Sequence, residues 1–201
     1  MNKFVLVLFL LLNFTIPNLN ANTLSLTSAN VTIYYEHLCS DSVRFIVNQL
    51  QPCYEKLKDY IHVKFVPFGK AESINNGESF ECQHGPDECT GNMVQSCALD
   101  YLKDPEQQMR FVTCHMKFGR KDLLGRNCCE QIGLDYTIID ECLNKNTCGR
   151  ELQLQAEIET KKVSPNYVPT IVLNKKFDFE QSRKLEFNFC DKIKELTKNK
   201  I

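Results

Sequence analysis

Cysteine content constrains this chain more than any other feature of its sequence. Eleven of the 201 residues are cysteine, and outside the cytosol such a density is typical of a framework of disulfide bonds. Because eleven is an odd number, at least one thiol has no partner within the chain. We expect ten structural cysteines and one special cysteine, Cys39. The ten disulfide candidates are Cys53, Cys82, Cys89, Cys97, Cys114, Cys128, Cys129, Cys142, Cys148 and Cys190.

The amino terminus predicts the compartment. Lys3 precedes an unbroken apolar run from Phe4 to Leu12, which is too short for a membrane span and typical of a secretory signal peptide. We therefore expect residues 1–21 to be a signal peptide and residues 22–201 to form a single domain without a transmembrane segment. The mature protein is predicted to be secreted. Lysosomal residence is the alternative, because no recognisable sorting signal in the sequence distinguishes the two destinations.

Charge and ligand spacing exclude two further classes of function. The chain has 24 basic and 25 acidic side chains and a formal net charge of -1, so it lacks the cationic excess of a surface that follows phosphates. We expect no nucleic-acid partner. The Cys and His residues between positions 82 and 97 lack the paired spacings of zinc sites. The sequence therefore predicts no metal and no cofactor.

Hydrophobic patterns predict an α/β fold. The β-branched and aromatic run from Val31 to Tyr35 indicates a buried strand. This strand leads directly into Cys39, after which apolar residues at mostly three- and four-residue spacing predict an amphipathic helix with a kink at Pro52. A second strand at residues 63–68 completes a strand-helix-strand unit.

The rest of the chain is predicted to add a helical insertion and then a strand-strand-helix unit. Short helical patterns indicate a helical insertion stapled by cysteines, over about residues 70–162. Two final strands at residues 170–173 and 177–179 and a terminal helix follow. This order predicts a thioredoxin-like fold with a disulfide-rich helical insertion. In such folds a cis-proline lies beside the active-site sulfur, and Pro169, just before the third strand, is the candidate.

Residues 82–97 carry the most specific motif of the chain. They read Cys82-Gln83-His84-Gly85-Pro86-Asp87-Glu88-Cys89-Thr90-Gly91-Asn92-Met93-Val94-Gln95-Ser96-Cys97. The segment resembles, at every fixed position, the signature C-Q-H-G-x2-E-C-x2-N-x4-C of the gamma-interferon-inducible lysosomal thiol reductases, the GILT family. The matching residues are Cys82, Gln83, His84, Gly85, Glu88, Cys89, Asn92 and Cys97. The resemblance implies a thioredoxin-like fold with a helical insertion, and the Asn- and Lys-rich composition is compatible with an insect source.

We interpret this signature as structural. Disulfide-rich insertions usually staple a fold rather than react, so its cysteines are assigned to the framework. His84 is interpreted as a residue that orients a loop, not as one that transfers protons.

The resemblance also locates the reactive thiol. In the family, a C-x-x-C motif at the start of the kinked helix supplies a thiolate nucleophile and a second thiol that resolves the mixed disulfide. The matching residues here are Cys39-Ser40-Asp41-Ser42. The nucleophile is kept, but serine stands at the resolving position, and a hydroxyl does not displace a disulfide sulfur near neutral pH. The ordinary two-thiol cycle is therefore closed to this chain, and the sequence leaves open whether it is an enzyme.

We favour the hypothesis of a secreted binding protein that has lost the two-thiol reductase activity of the family. Its partner would be a protein or a cell or pathogen surface, in a role such as host defence. The alternative is a monothiol reductase or a mixed-disulfide capture protein, in which Cys39 attacks a disulfide-containing client and an external thiol completes the reaction. The chain is predicted to be a monomer or a disulfide-linked dimer. Asn30, in the sequon Asn30-Val31-Thr32, is predicted to be glycosylated.

Overall fold

The computed structural model of the protein describes residues 28–145 and 147–197. The predicted signal peptide, residues 1–21, lies outside the described residues. Within the described part of the chain, no helix is both long enough and apolar enough to cross a membrane.

Strands lie towards both ends of the described chain, and helices fill its middle. In chain order the elements are β1 (Ala29–Tyr35), α1 (Ser40–Phe45), a π-helical turn (Ile46–Leu50), α2 (Gln51–Leu57), β2 (Ile61–Pro67), β3 (Glu72–Ile74), β4 (Ser79–Glu81), α3 (Pro86–Tyr101), α4 (Pro105–Phe118), α5 (Arg126–Ile132), α6 (Tyr136–Asp140), a second π-helical turn (Glu141–Lys145), α7 (Cys148–Lys161), β5 (Thr170–Leu173) and α8 (Phe179–Thr197). The segment predicted to be an insertion thus contains the small β3–β4 hairpin and five α-helices.

β1 is the central strand of the main sheet. Among the described residues this sheet has the order β2-β1-β5, with β1 parallel to β2 and antiparallel to β5. Side chains alternate between the two faces of a strand. Val31, Ile33 and Tyr35 accordingly join the large core cluster on one face, whereas Tyr34 joins a smaller cluster on the other.

The first face of the sheet is covered by α1, α2, α4 and α8, whose apolar side chains fill the large cluster. Pro52 has no N–H group to donate to the carbonyl four residues earlier, and the backbone before it forms the first π-helical turn. A disulfide between Cys53 and Cys190 joins α2 to α8. On the opposite face, Ala156 of α7 packs against the smaller cluster.

The predicted strand at residues 177–179 is wrong. Lys176 makes only an isolated bridge to Leu173, and α8 begins at Phe179. Alternating phenylalanine and acidic residues imitate a strand here, but Asp178 acts as a helix cap. Its carboxylate accepts a hydrogen bond from Gln181 N at 2.7 Å, and its carbonyl accepts one from Ser182 N at 2.9 Å. These bonds satisfy N–H groups of the first helical turn and start the helix at this point.

The helical region between β4 and β5 has its own core cluster, which includes Val94, Ala98, Phe111 and Ile139. Three disulfides lie in this part of the molecule: Cys82–Cys89, Cys97–Cys142 and Cys114–Cys128. Covalent links therefore reinforce a region whose helices pack mainly against one another.

The prediction of ten paired cysteines is wrong for Cys129 and Cys148, which are thiols in the structure together with Cys39. Cys129 directly follows Cys128 on α5, and consecutive helical residues point about 100° apart, so that only Cys128 faces Cys114. The Cys148 sulfur lies 2.9 Å from the sulfur of Cys142, but Cys142 is already bonded to Cys97.

Candidate thiol site

Cys39 lies where the central strand passes into the first helix. β1 ends at Tyr35, and Cys39 is the N-cap residue of α1. Its side chain is 8% exposed and carries a free thiol. The amide groups at a helix N-terminus stabilise negative charge, which is the charge of a thiolate nucleophile. The location is therefore suited to a reactive sulfur.

The loop before β5 brings Pro169 to this sulfur. The peptide bond between Val168 and Pro169 is cis, and the carbonyl oxygen of Val168 lies 3.8 Å from the Cys39 sulfur. The hydroxyl of Thr170 donates a hydrogen bond to the carbonyl of Tyr167 at 2.6 Å and closes the loop. The fold thus brings together Cys39 and Pro169, which lie far apart in the sequence.

Ser42 occupies the position of the second thiol. Its side chain is buried in the first turns of the kinked helix, and its hydroxyl has no hydrogen-bond partner within the described residues. The other two thiols, Cys129 and Cys148, belong to the core of the helical region. No second thiol therefore accompanies Cys39 in the described part of the molecule.

The negative charge of Asp41, two residues after Cys39, is partly offset. Arg44 lies 2.9 Å from the Asp41 carboxylate and 3.2 Å from the carboxylate of Glu186 on α8. The guanidinium therefore offsets part of the negative field that the sequence places beside the thiol.

One face of α3 holds the backbone that leads to Cys39. Glu88, Asn92 and Gln95 are spaced four and three residues apart and therefore share a helix face. The Leu38 amide donates to the Glu88 carboxylate at 3.2 Å, and the His37 amide donates to the Asn92 side chain at 2.8 Å. These bonds fix the position of the residues just before the thiol.

Gln95 extends the same contact into the core. It accepts a hydrogen bond from the hydroxyl of Tyr35, and its amide nitrogen lies 3.0 Å from the His37 ring. Neither Gln95 nor Glu36 has a role predicted from the sequence. The spacing of Gln95 from Glu88 and Asn92 is the signal that could have identified it.

The remaining signature residues build the loop that carries Glu88. The Cys82–Cys89 disulfide closes this loop. The His84 ring lies 2.6 Å from the Glu88 carboxylate, and the His84 amide donates to the same carboxylate at 3.1 Å. Gly85 has a positive φ of 88°, as the N-cap of α3, a conformation that glycine adopts without strain. His84 thus holds the loop through Glu88.

Glu36 is a second buried carboxyl group at this place. Burial, and secondarily the negative charge of Glu88, raise the pKa of Glu36 from 4.5 to about 7. Its carboxylate accepts a hydrogen bond from the Lys70 amide at 2.7 Å. In the amide orientation that satisfies both of its polar atoms, Gln83 also donates to Glu36 at 3.2 Å and accepts from Lys70 Nζ at 3.0 Å. These hydrogen bonds join Glu36 to Lys70 and to Gln83 of the signature loop.

The donor atoms of Glu36, His84 and Glu88 all lie within 4.8 Å of one another. Two carboxylates and one imidazole are a donor set that divalent transition metals accept. The prediction of no metal rests on the spacing of cysteine and histidine alone and leaves these carboxylates out. The hydrogen bonds already described use the same oxygens to fix the backbone, which accounts for their convergence without a metal.

A pair of buried histidines backs the Cys39 loop. The rings of His37 and His115 stack with a centroid separation of 4.1 Å. Burial lowers the pKa of His37 to about 3 and that of His115 to about 4, so both rings are neutral at physiological pH. A Cβ atom at Gly91 would overlap the His37 ring, so glycine permits this close approach to α3.

An aromatic and cationic surface, formed by Tyr167, Phe179, Arg183 and Phe187, adjoins the cis-proline loop. The Tyr167 and Phe179 rings meet edge to face, and the Arg183 guanidinium lies 4.8 Å from the Tyr167 centroid. Phe179 and Phe187 are about half exposed. The Arg183 guanidinium is paired with the carboxylate of Glu186 at 2.6 Å, so this surface offers mainly apolar contacts beside the cis-proline loop.

A thiol at a helix N-terminus, beside a cis-proline on a sheet with helices on both faces, defines a protein of the thioredoxin-like class. Solved structures agree with this assignment. The chain is similar to BdbD from Bacillus subtilis, with a TM-score of 0.61 and 15% identity over 86% of this chain and 89% of that one. A thioredoxin-like oxidoreductase from Silicibacter pomeroyi has a TM-score of 0.53 and 11% identity over 83% and 88% of the two chains. The predicted fold class is confirmed.

Sequence comparisons identify the family within that class. A profile of the family "Gamma interferon inducible lysosomal thiol reductase (GILT)" matches residues 30–132. GILT-like protein 1 of Drosophila melanogaster is 32% identical over 86% of this chain and 76% of its own length. A gamma-interferon-inducible lysosomal thiol reductase-like protein of Anopheles gambiae is 32% identical over 75% of this chain and 69% of its own length. The chain belongs to the GILT family, as the signature at residues 82–97 indicates.

Proposed function

We propose that this GILT-family protein acts on disulfides through Cys39 alone and depends on an external thiol to complete the reaction. The observation that carries the proposal is the free thiol of Cys39 at a helix N-terminus, with buried Ser42 at the place of the second thiol. The surroundings of a nucleophile are retained, and the group that would resolve its product is not.

The reaction balances without a second active-site cysteine. The Cys39 thiolate attacks one sulfur of a client disulfide, which forms a mixed disulfide and releases the other client sulfur as a thiolate that takes up a proton. An external thiolate such as glutathione then attacks the Cys39 sulfur and releases the client thiol. A second external thiolate removes the bound glutathione as its disulfide and regenerates Cys39. One client disulfide is reduced, and two external thiols are oxidised.

The surroundings of Cys39 support a polypeptide client. The Val168 carbonyl lies beside the sulfur and offers a backbone acceptor to an extended chain that carries the disulfide. The adjacent surface of Tyr167, Phe179, Arg183 and Phe187 provides apolar area for the flanking residues.

Binding without chemistry is the second candidate function, and the low exposure of Cys39 favours it. Because Cys39 as a residue is only 8% exposed, its thiol is accessible only to a partner that fits closely against the cis-proline loop. In this form of the proposal the protein is secreted and binds a protein or a cell or pathogen surface in host defence. A disulfide between the Cys39 residues of two copies is a further consequence of the free thiol.

Turnover of a fluorogenic disulfide substrate distinguishes the two candidates. The mature protein is assayed with excess glutathione at acidic and neutral pH, beside Cys39→Ser as the control. We expect turnover that requires Cys39. Activity equal to that of the Cys39→Ser variant would contradict the proposal and leave binding as the function.

Ser42→Cys is the matched gain-of-function variant. It restores the missing resolving thiol at a buried position next to Cys39, so we expect disulfide reduction that no longer needs external thiol for release of the client. Its redox state is checked by alkylation and mass spectrometry. An inert Ser42→Cys variant with an accessible Cys39 would locate the defect in the surface around the site.

Compartment and glycosylation are tested in the same preparation. Asn30 is exposed near the start of β1, and we propose that it carries a glycan. Expression in a secretory host should release the protein into the medium, with a mass that falls on treatment with a glycosidase and in the Asn30→Gln variant. Retention in the cells, or an unchanged mass, would contradict these two proposals. Non-reducing electrophoresis of the same sample reports a covalent dimer.

A further inference from the structure

Three sulfurs other than that of Cys39 meet in the helical region. Cys97 lies on α3, Cys142 in the second π-helical turn and Cys148 at the first residue of α7. Cys97 and Cys142 form a disulfide, and the free sulfur of Cys148 lies 2.9 Å from that of Cys142. A thiol in direct contact with a disulfide sulfur is the arrangement from which thiol-disulfide exchange starts.

The three cysteines line a cavity of about 600 Å³. Cys97 and Cys142 are 2% and 8% exposed, whereas Cys148 is intermediate in exposure. The remaining lining residues include Asp100, Lys103 and Glu141. Solvent and small reagents therefore reach the cluster through Cys148, and the disulfide behind it is shielded.

We propose that Cys97, Cys142 and Cys148 form a second thiol-disulfide exchange site, whose substrate is the protein's own disulfide. The Cys148 thiolate attacks the Cys142 sulfur, the Cys142–Cys148 bond forms, and the Cys97–Cys142 bond breaks. Cys97 leaves as a thiolate and takes up a proton. The number of disulfides and thiols is unchanged, so the step needs neither an oxidant nor a reductant. The site interconverts two disulfide isomers. In one the free thiol is the accessible Cys148, and in the other it is the buried Cys97.

The charges around Cys148 disfavour the thiolate that starts the exchange. Burial, and then the negative charges of Asp100 on α3 and Glu151 on α7, raise the pKa of the Cys148 thiol. Glu141 of the π-helical turn also faces the cavity, and Lys103 is the cation there. Because only the thiolate attacks, acidification stops the exchange and preserves the ratio of isomers.

The other thiol of this region supplies a matched control. Cys129 is buried in the same core cluster, and burial, then the charge of Asp122, raise the pKa of its thiol to about 11. Its neighbour Cys128 is bonded to Cys114 on α4. Cys129→Ser therefore removes a thiol from the region without removing a member of the three-sulfur cluster.

The test maps disulfides in the full mature chain carrying Cys39→Ser, which separates the outcome from that of the proposed function. The oxidised protein is equilibrated near neutral pH, quenched with acid, alkylated with N-ethylmaleimide after unfolding at mildly acidic pH, and mapped by mass spectrometry of peptides. We expect both the Cys97–Cys142 form with alkylated Cys148 and the Cys142–Cys148 form with alkylated Cys97. A single isomer after equilibration would overturn the proposal.

Two variants fix the isomers. Cys148→Ser should contain only the Cys97–Cys142 disulfide, and Cys97→Ser should form the Cys142–Cys148 disulfide. Cys129→Ser should show the same two isomers as the parent. If Cys97→Ser is folded by circular dichroism but has thiols at both Cys142 and Cys148 under oxidising conditions, the proposal is wrong. Should Cys97→Ser fail to fold, the parent and Cys129→Ser maps still decide the question.

Discussion

The sheet half and the helical half of this molecule use cysteine in opposite ways. Around β1, large apolar side chains from α1, α2, α4 and α8 form the core, and a single disulfide joins α2 to α8. Between β4 and β5, three disulfides reinforce a smaller helical core. The reactive candidate, Cys39, stands on the half with fewer disulfides, one against three.

The two halves meet at the thiol site. Two signature residues of α3 make this contact. Glu88 binds the backbone amide of Leu38, and Asn92 binds that of His37. The disulfide-rich half therefore contributes positioning rather than sulfur chemistry to Cys39. The comparison predicts that the two halves respond differently when a disulfide or a buried charge is removed.

Loss of the Cys53–Cys190 disulfide should have the largest effect on stability. This bond closes a loop with a sequence separation of 137, against 7 for Cys82–Cys89. The entropy of the unfolded chain then predicts losses of about 5 and about 2 kcal/mol for the two pairs of Cys→Ala substitutions. Urea unfolding without reductant measures both. Equal losses would show that packing strain, not loop closure, decides the contribution of each bond.

Glu36 should give the next largest effect, as a dependence of stability on pH. Its pKa is raised from 4.5 to about 7 in the folded protein, so that the folded state keeps a proton that the unfolded state releases. The contribution of Glu36 is fully present below pH 4.5 and is lost as the pH rises to about 7, by about 3 kcal/mol. The pKa values of His37 and His115 are lowered in the folded protein, so their contributions have the opposite sign. The protein loses this stabilisation as the pH falls from 6.5.

The Glu36→Gln variant isolates the carboxyl group. The difference in unfolding free energy between the parent and this variant should fall steadily from pH 4.5 to 7, because the histidine contributions cancel. A difference that is constant over this range would show that folding does not raise the pKa of Glu36.

Cys39→Ser should have the smallest effect, below about 1 kcal/mol, because no disulfide is lost. Its unfolding midpoint in urea is compared with that of Cys148→Ser, which removes a thiol from the other half. A loss on the order of 2–5 kcal/mol for Cys39→Ser would place Cys39 in a structural bridge and overturn the contrast between the halves.

Much of the sheet half could be predicted because its signals are local. The run from Val31 to Tyr35 and the helix interrupted at Pro52 have strong periodicity, and the structure contains both. Cys39 and Val168 are 129 positions apart, and only the resemblance to a thioredoxin-like fold brought Pro169 near the thiol. The predicted strand at residues 177–179 failed because the helix cap of Asp178 overrides a two-residue alternation.

The helical half was less predictable because its contacts depend on tertiary placement. The β3–β4 hairpin lies in a polar segment that the local pattern does not mark as strand. Nothing in the order of cysteines reveals that Cys148 competes with Cys97 for Cys142, since connectivity does not follow from spacing. Glu36 and Gln95 belong to the site only because α3 packs against the end of β1 in the folded protein.

The burial of Ser42 has an evolutionary consequence. Serine and cysteine differ by one atom, and one nucleotide change converts a codon of either residue into a codon of the other. The hydroxyl makes no hydrogen bond within the described residues, so the surrounding scaffold does not depend on it. A lineage with this fold can therefore gain or lose the second thiol in a single mutational step, while the loop, the cis-proline and the surface of Tyr167, Phe179, Arg183 and Phe187 stay in place.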